Sequence, residues 1–188
     1  MNRETILEQL RTHRPLDERE AGMRQAIETF VLEHERFHDH ALQIGHLTGS
    51  AWILDRAHSH ALLTHHRKLN LWVQLGGHVE NDSNMFSAAW REAREESGLV
   101  EVQPIHDHIF DVDIHEIPAR HDEPKHFHYD IRFVFCADRH SPLTISSESK
   151  NLAWVALDRI PERTQEESIL RMIRKTERLF DITKQTKG

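Results

Sequence analysis

Three glutamates, Glu92, Glu95 and Glu96, stand three and four residues apart within REAREES, so on a helix they share one face. That helix is expected over residues 84–97, with Phe86, Ala89, Trp90 and Ala93 on its buried side and Gly98 ending it. The acids then crowd its C-terminal half, where the macrodipole disfavours each anion by about 0.3–1 kcal/mol. Each like-charged neighbour pair adds about 0.2–0.5 kcal/mol. Arg91, four residues before Glu95, offsets part of this, and Arg94 adds positive charge. Taken alone, REAREE is also the pattern of a solvated helix face. Its context sets it apart: LWVQL (71–75) reads as a strand running into Gly76-Gly77, where the backbone can turn sharply and approach a ligand closely. Hard oxygen donors that converge against their own helix dipole suit Mg2+ or Mn2+ better than zinc.

Histidine is the second unusual feature, at 17 of 188 residues. HDH (106–108) and HFH (126–128) lie in strand-like runs, so His106 shares a face with His108, and His126 with His128. Two imidazoles at that spacing suit a metal or a phosphate. With no third ligand in the pattern, they read as polar lining of a face that looks into a substrate cleft. His78, directly after the glycine pair, is placed to meet a phosphate. His38/His40 and His58/His60 read as surface pairs.

The elements that must position these groups follow from the hydrophobic periodicity. Ile6, Leu7 and Leu10 mark a short helix that stops near Pro15. A second helix starts at Asp17, with Glu20 completing a capping-box pattern, and its apolar spacing runs on towards Phe37 and Ala41. From Gly45 the period changes to short apolar runs: AWIL (51–54), ALLT (61–64), LWVQL, HIFDVDI (108–114), DIRFVFCA (130–137) and LAWVAL (152–157). A last helix is expected from a Thr164/Glu167 capping box to Phe180. Strands mixed with helices indicate one α/β domain over residues 46–188, with residues 1–45 as an N-terminal helical extension.

The whole composition narrows the function. The formal charge of −7 argues against a non-specific nucleic-acid coat or a binder of acidic membranes. No apolar run is long enough for a transmembrane helix, and the first residues carry no apolar signal region. A single cysteine, Cys136, excludes an intrachain disulfide framework and any multi-cysteine zinc site. A cytoplasmic protein is expected.

Residues 77–99 resemble the Nudix box, G-x5-E-x7-R-E-U-x-E-E-x-G-U with U a bulky aliphatic residue. Gly77, Arg91, Glu92, Glu95, Glu96, Gly98 and Leu99 fall in register, with Ala93 a small residue at the first U. Ser83 stands where the family has its first glutamate. A weaker likeness extends from about Gly45 to the C-terminal helix, with LAWVALDRIP similar to the family's closing strand and turn.

The resemblance implies a Nudix-type α/β/α sandwich, a mixed sheet between helices. It also implies a metal-dependent hydrolase that cleaves a diphosphate linkage in a nucleoside diphosphate derivative. By it, Glu92, Glu95 and Glu96 would be metal ligands, Gly76 would offer its carbonyl, Arg91 would orient Glu95, and Glu92 would deprotonate the attacking water. Ser83 cannot supply the missing charge; Asp82 or Glu80 could stand in. Glu148 is a candidate acid from a later loop, and His78, His126 and His128 are candidate substrate contacts. Other readings are a prenyl-diphosphate isomerase of the same fold, for which Cys136 would be the only thiol, and a catalytically impaired nucleotide-binding regulator. The expected partner is a small nucleotide-like diphosphate. A proline typical of ADP-ribose hydrolases would fall on Ile114, and a tyrosine typical of dinucleoside polyphosphate hydrolases near Glu116, so neither subgroup is marked. Trp52, Trp72, Phe127 and Tyr129 are candidates to stack on a base. The helical extension would either cover the cleft or build a homodimer.

Overall fold

The computed structural model describes residues 1–119 and 124–181. Among these residues eight strands form one sheet: β1 (Gly45–Asp55), β2 (His60–His66), β3 (Trp72–Val73), β4 (Leu75–His78), β5 (Val102–Pro104), β6 (Asp111–Ile117), β7 (His126–Ala137) and β8 (Ser149–Ala156). The long β1 is the hub. It runs parallel to β7 along its whole length, while its other edge pairs antiparallel first with β4 and then with β2. On the far side β7 holds β6 and β5, both antiparallel. One parallel pair among antiparallel ones makes the sheet mixed.

Helices cover both faces. Odd-numbered residues of β1 and β7 (Leu47, Ala51, Ile53, Ile131, Phe133, Phe135) pack on Met85, Ala88, Ala89 and Ala93 of α3 (Met85–Ser97). Gly49 lets this helix come close, since a Cβ there would lie 3.1 Å from the Ala89 backbone nitrogen. The same core takes in Ile6, Leu7 and Leu10 of α1 (Arg3–Thr12) and Ile27, Phe30 and Val31 of α2 (Glu18–Glu33). The other face carries Trp52, Leu54, Leu63 and Val134 against Ile169, Met172 and Ile173 of α4 (Glu167–Leu179). This is the α/β sandwich expected from the sequence.

Several local expectations differ. Asp17 caps α2 through the Glu20 N–H, but the Glu20 side chain turns inward to the Leu16 N–H, His13 and Lys175 instead of closing a capping box. α2 ends at Glu33, well before Ala41. α4 begins at Glu167 without a side-chain cap, because Thr164 Oγ1 accepts from the Glu166 N–H instead of reaching Glu167. Residues 106–109 do not form a strand. The backbone is pinned to β7 at Ile105 and Phe110 and loops out between them, so His106 and His108 stack ring on ring at 3.5 Å.

Candidate active site

The strand–glycine–helix unit is built by close packing. Gly77 pairs with Gly49 across β4 and β1. A Cβ on Gly77 would lie 2.6 Å from Glu92 Oε1, and one on Gly76 would collide with Ser50. Gly76 is therefore demanded by space, since a side chain there would push the strand off β1, whereas a side chain at Gly77 would displace the Glu92 carboxylate. On α3, Asn84 caps the first turn through the Ser87 N–H, and Gly98 takes the left-handed conformation that ends it. These ends fix the rotation of the helix, and that rotation turns Glu92 and Glu96 towards β4.

Glu96 is only 6% exposed, and its Oε2 accepts the Gly76 N–H at 2.9 Å. Burial pushes its carboxyl up to about 7; the Gly76 hydrogen bond opposes this, while the charges of Glu92 and Glu148 add to it. Glu92 is also raised by burial, against the pull of Arg91. Arg91 is a four-way clamp. It donates to Glu92 Oε1 and Glu95 Oε2, both at 2.9 Å, to Asp82 Oδ2 at 3.0 Å, and to the His78 carbonyl at 2.9 Å. Glu95 itself is mostly exposed. Among the described residues no cation pairs with Glu96. Buried, same-sign and short of counter-charge, these hard oxygen donors fit a divalent cation.

The structure brings Gly76, His78, Arg91, Glu92, Glu95 and Glu96 together, with Glu148 near enough for its charge to act on Glu92 and Glu96. Ser83 stays outside: its hydroxyl lies 3.5 Å from that of Ser87 and accepts from the Asn84 side chain. Asp82 is inside, on the arginine. Glu80 is exposed.

His126 and His128 do share a face, with their Nε2 atoms 3.3 Å apart. They stand among other imidazoles, since the His46 ring lies 5.2 Å from that of His126 and 4.9 Å from those of His128 and His78. The sequence reading missed His46. Its signal was the parallel partnership of β1 and β7, which sets His46 opposite His128 and which no local pattern announces.

Two of the stacking candidates are committed elsewhere. Trp52 is fully buried and donates to Thr176, and Tyr129 stacks on Phe30 at 3.9 Å. Trp72 lies between His65 and Arg163. Cys136 is half-buried on β7, opposite Leu54 of β1, beyond the stretch of β1 that pairs with β4.

Comparison with known proteins gives a consistent picture. The family model described as NUDIX domain matches residues 46–175. The C. elegans Ap4A hydrolase, in a binary complex, is similar with a TM-score of 0.57 at 16% identity, over 73% of this chain and 98% of that one. The NUDIX domain of Shewanella oneidensis NrtR complexed with ADP ribose gives 0.52 at 13%, over 81% and 97%. The E. coli dihydroneopterin triphosphate pyrophosphohydrolase gives 0.52 at 13%, over 73% and 96%. At such identities the likeness is one of fold. No curated protein matches the sequence. Among the described residues, no helix is long and apolar enough to cross a membrane.

Proposed function

Because the chain belongs to the Nudix family of acid-anhydride hydrolases, we propose that it cleaves the diphosphate linkage of a nucleoside diphosphate derivative, with Mg2+ or Mn2+ held by Glu92, Glu95 and Glu96. The supporting observation is Glu96: a buried carboxyl beside Glu92, fixed by the Gly76 N–H and without a cation of its own. A bound divalent cation would draw electron density from the phosphoryl oxygens and acidify a water. The chain supplies the rest. The Gly76 N–H holds one oxygen of Glu96, and the other oxygen, with the Gly76 carbonyl, would bind the cation. Arg91 fixes Glu92 and Glu95 in one orientation, the supporting role that metal-binding carboxylates require. Glu92, held against Gly77, is the base that accepts the proton of the attacking water. Without a cation its carboxyl is raised by burial, against the pull of Arg91. Glu148 is assigned to the substrate.

The test is turnover of a panel of nucleoside diphosphate derivatives, including ADP-ribose and Ap4A, with Mg2+ or Mn2+. At least one should be hydrolysed, and Glu96→Gln should lower kcat/KM by about 10²–10⁴-fold. Equal turnover by wild type and Glu96→Gln would overturn the assignment.

A further inference from the structure

Four adjacent strands carry a row of imidazoles across one sheet face. His46 of β1 lies opposite His128 of β7, and His128 lies opposite His115 of β6. His78 of β4 pairs with Thr48, which shares the face of His46. The side chains converge further than the register alone requires. One ligand nitrogen from each of His46, His78 and His128 lies within 4.8 Å of the others. His126 stands beside them, its Nε2 3.3 Å from that of His128.

His46 makes this more than a crowd of rings. It is 2% exposed, and among the described residues neither of its nitrogens has a hydrogen-bond partner. Buried polar groups are normally satisfied, and an exception asks for a ligand that the protein atoms do not provide. A metal ion would take one nitrogen of His46 through its lone pair, together with one from each of His78 and His128.

We infer that His46, His78 and His128 form a second metal site, separate from the carboxylates, that takes a borderline transition ion of the Zn2+ class. Imidazole nitrogen selects Zn2+, Co2+ or Ni2+, where carboxylate oxygen selects Mg2+ or Mn2+. A tetrahedral ion with bonds of about 2.0–2.1 Å needs its nitrogens roughly 3.3 Å apart, so the rings would close in by at most about 1.5 Å. Burial and the neighbouring imidazoles hold His46 down at about 3 and His128 at about 2, so both are neutral at pH 7, the form that ligates. Three protein nitrogens would leave the fourth position of a tetrahedral ion for water, for His126 or for an anionic oxygen. The two donor sets flank β4. Gly77 faces Glu92, and the next residue, His78, points to the opposite face while Arg91 holds its carbonyl.

The experiment titrates chelator-stripped, tag-free protein with Zn2+ in a large excess of Mg2+, read by competition with a chromophoric chelator, and repeats it with Co2+ by visible absorption. One equivalent of tight Zn2+ is expected, with a Co2+ spectrum of low coordination number. His78→Ala changes an exposed side chain, and with His128→Gln it should weaken Zn2+ binding at least tenfold; Glu96→Gln should leave it unchanged. Zn2+ binding that survives both histidine changes, or that disappears in Glu96→Gln, overturns the second site, as does a wild-type protein that takes up no Zn2+. None of these readouts depends on hydrolase activity.

Discussion

Two groups of buried acids in this molecule meet the same desolvation and answer it in opposite ways. Between β6, β7 and α4, the carboxylates of Asp111, Asp113 and Asp130 interleave with Arg132 and Arg171, and Lys175 joins Asp111 to Glu20. Burial works against ionisation of Asp113, but Arg132, His115 and Arg171 outweigh it and hold the carboxyl well below the usual range. Glu20 follows the same course to about 2, through His13 and Lys175. At α3 burial wins. Arg91 is divided among Asp82, Glu92 and Glu95, and Glu96 rises to about 7. Alternating signs make a self-sufficient scaffold that ties α2 and α4 to the sheet. A same-sign cluster has the charge to take a cation from outside. Burial of charge alone marks neither structure nor function; the local balance of charge separates them.

The sharpest way to break this contrast is to remove one cation from the balanced group. Arg171 donates to Asp111 at 2.8 and 2.9 Å, to the Val112 carbonyl at 2.8 Å and to Asp113 at 3.2 Å. Arg171→Met fills the space but takes one of two arginines from Asp111 and Asp113, leaving them Arg132 and Lys175, and breaking these buried pairs should cost about 3–5 kcal/mol. For a chain of this length that lowers Tm by roughly 6–20 °C in a thermal melt. A melt unchanged within a couple of degrees would show that the network is not the scaffold described.

The unbalanced group predicts the reverse. A carboxyl raised from 4.5 to about 7 in the folded chain binds more protons folded than unfolded across that window. Stability without divalent ions should therefore fall as pH rises from about 4.5 to 7, by roughly 3 kcal/mol in all from Glu96. Other groups titrate there too, so the readout is the difference between wild type and Glu96→Gln in urea melts at several pH values. The variant should lose this part of the slope and be the more stable protein at pH 8. A variant less stable than wild type at pH 8 would place Glu96 among the structural acids.

How much of this was legible in the sequence follows from the range of each interaction. The arrangement at α3 was readable because Gly76, Gly77 and the three glutamates lie within one strand–turn–helix unit, where spacing fixes geometry. The capping of α2 was half readable. Asp17 acts locally, but Glu20 is captured by His13 and by Lys175, and a bond across 155 residues outbids a box across three. The imidazole site was illegible for the same reason. HFH showed two rings, and the third and fourth arrive through the β1–β7 and β1–β4 pairings. Trp52 and Tyr129 looked available for stacking because an aromatic ring in a strand reads the same whether a helix covers it or not.

The smallest effect bears on the missing acid. Ser83 occupies the position of the first box glutamate, yet its hydroxyl is engaged with Asn84 and Ser87 at the start of α3, while Asp82 reaches Arg91. Asp82 thus acts on the carboxylates through the arginine that orients Glu92 and Glu95. If that position carries the role, Asp82→Asn should lower kcat/KM by about tenfold, the lower end for a group that orients metal ligands, with the loss partly recovered by raising Mg2+. Ser83→Glu adds a charge beyond a cluster already organised by Asp82, and should change kcat/KM by no more than about threefold. A large gain on Ser83→Glu together with an indifferent Asp82→Asn would reverse the comparison, making the site at α3 short of an acid as well as of a cation.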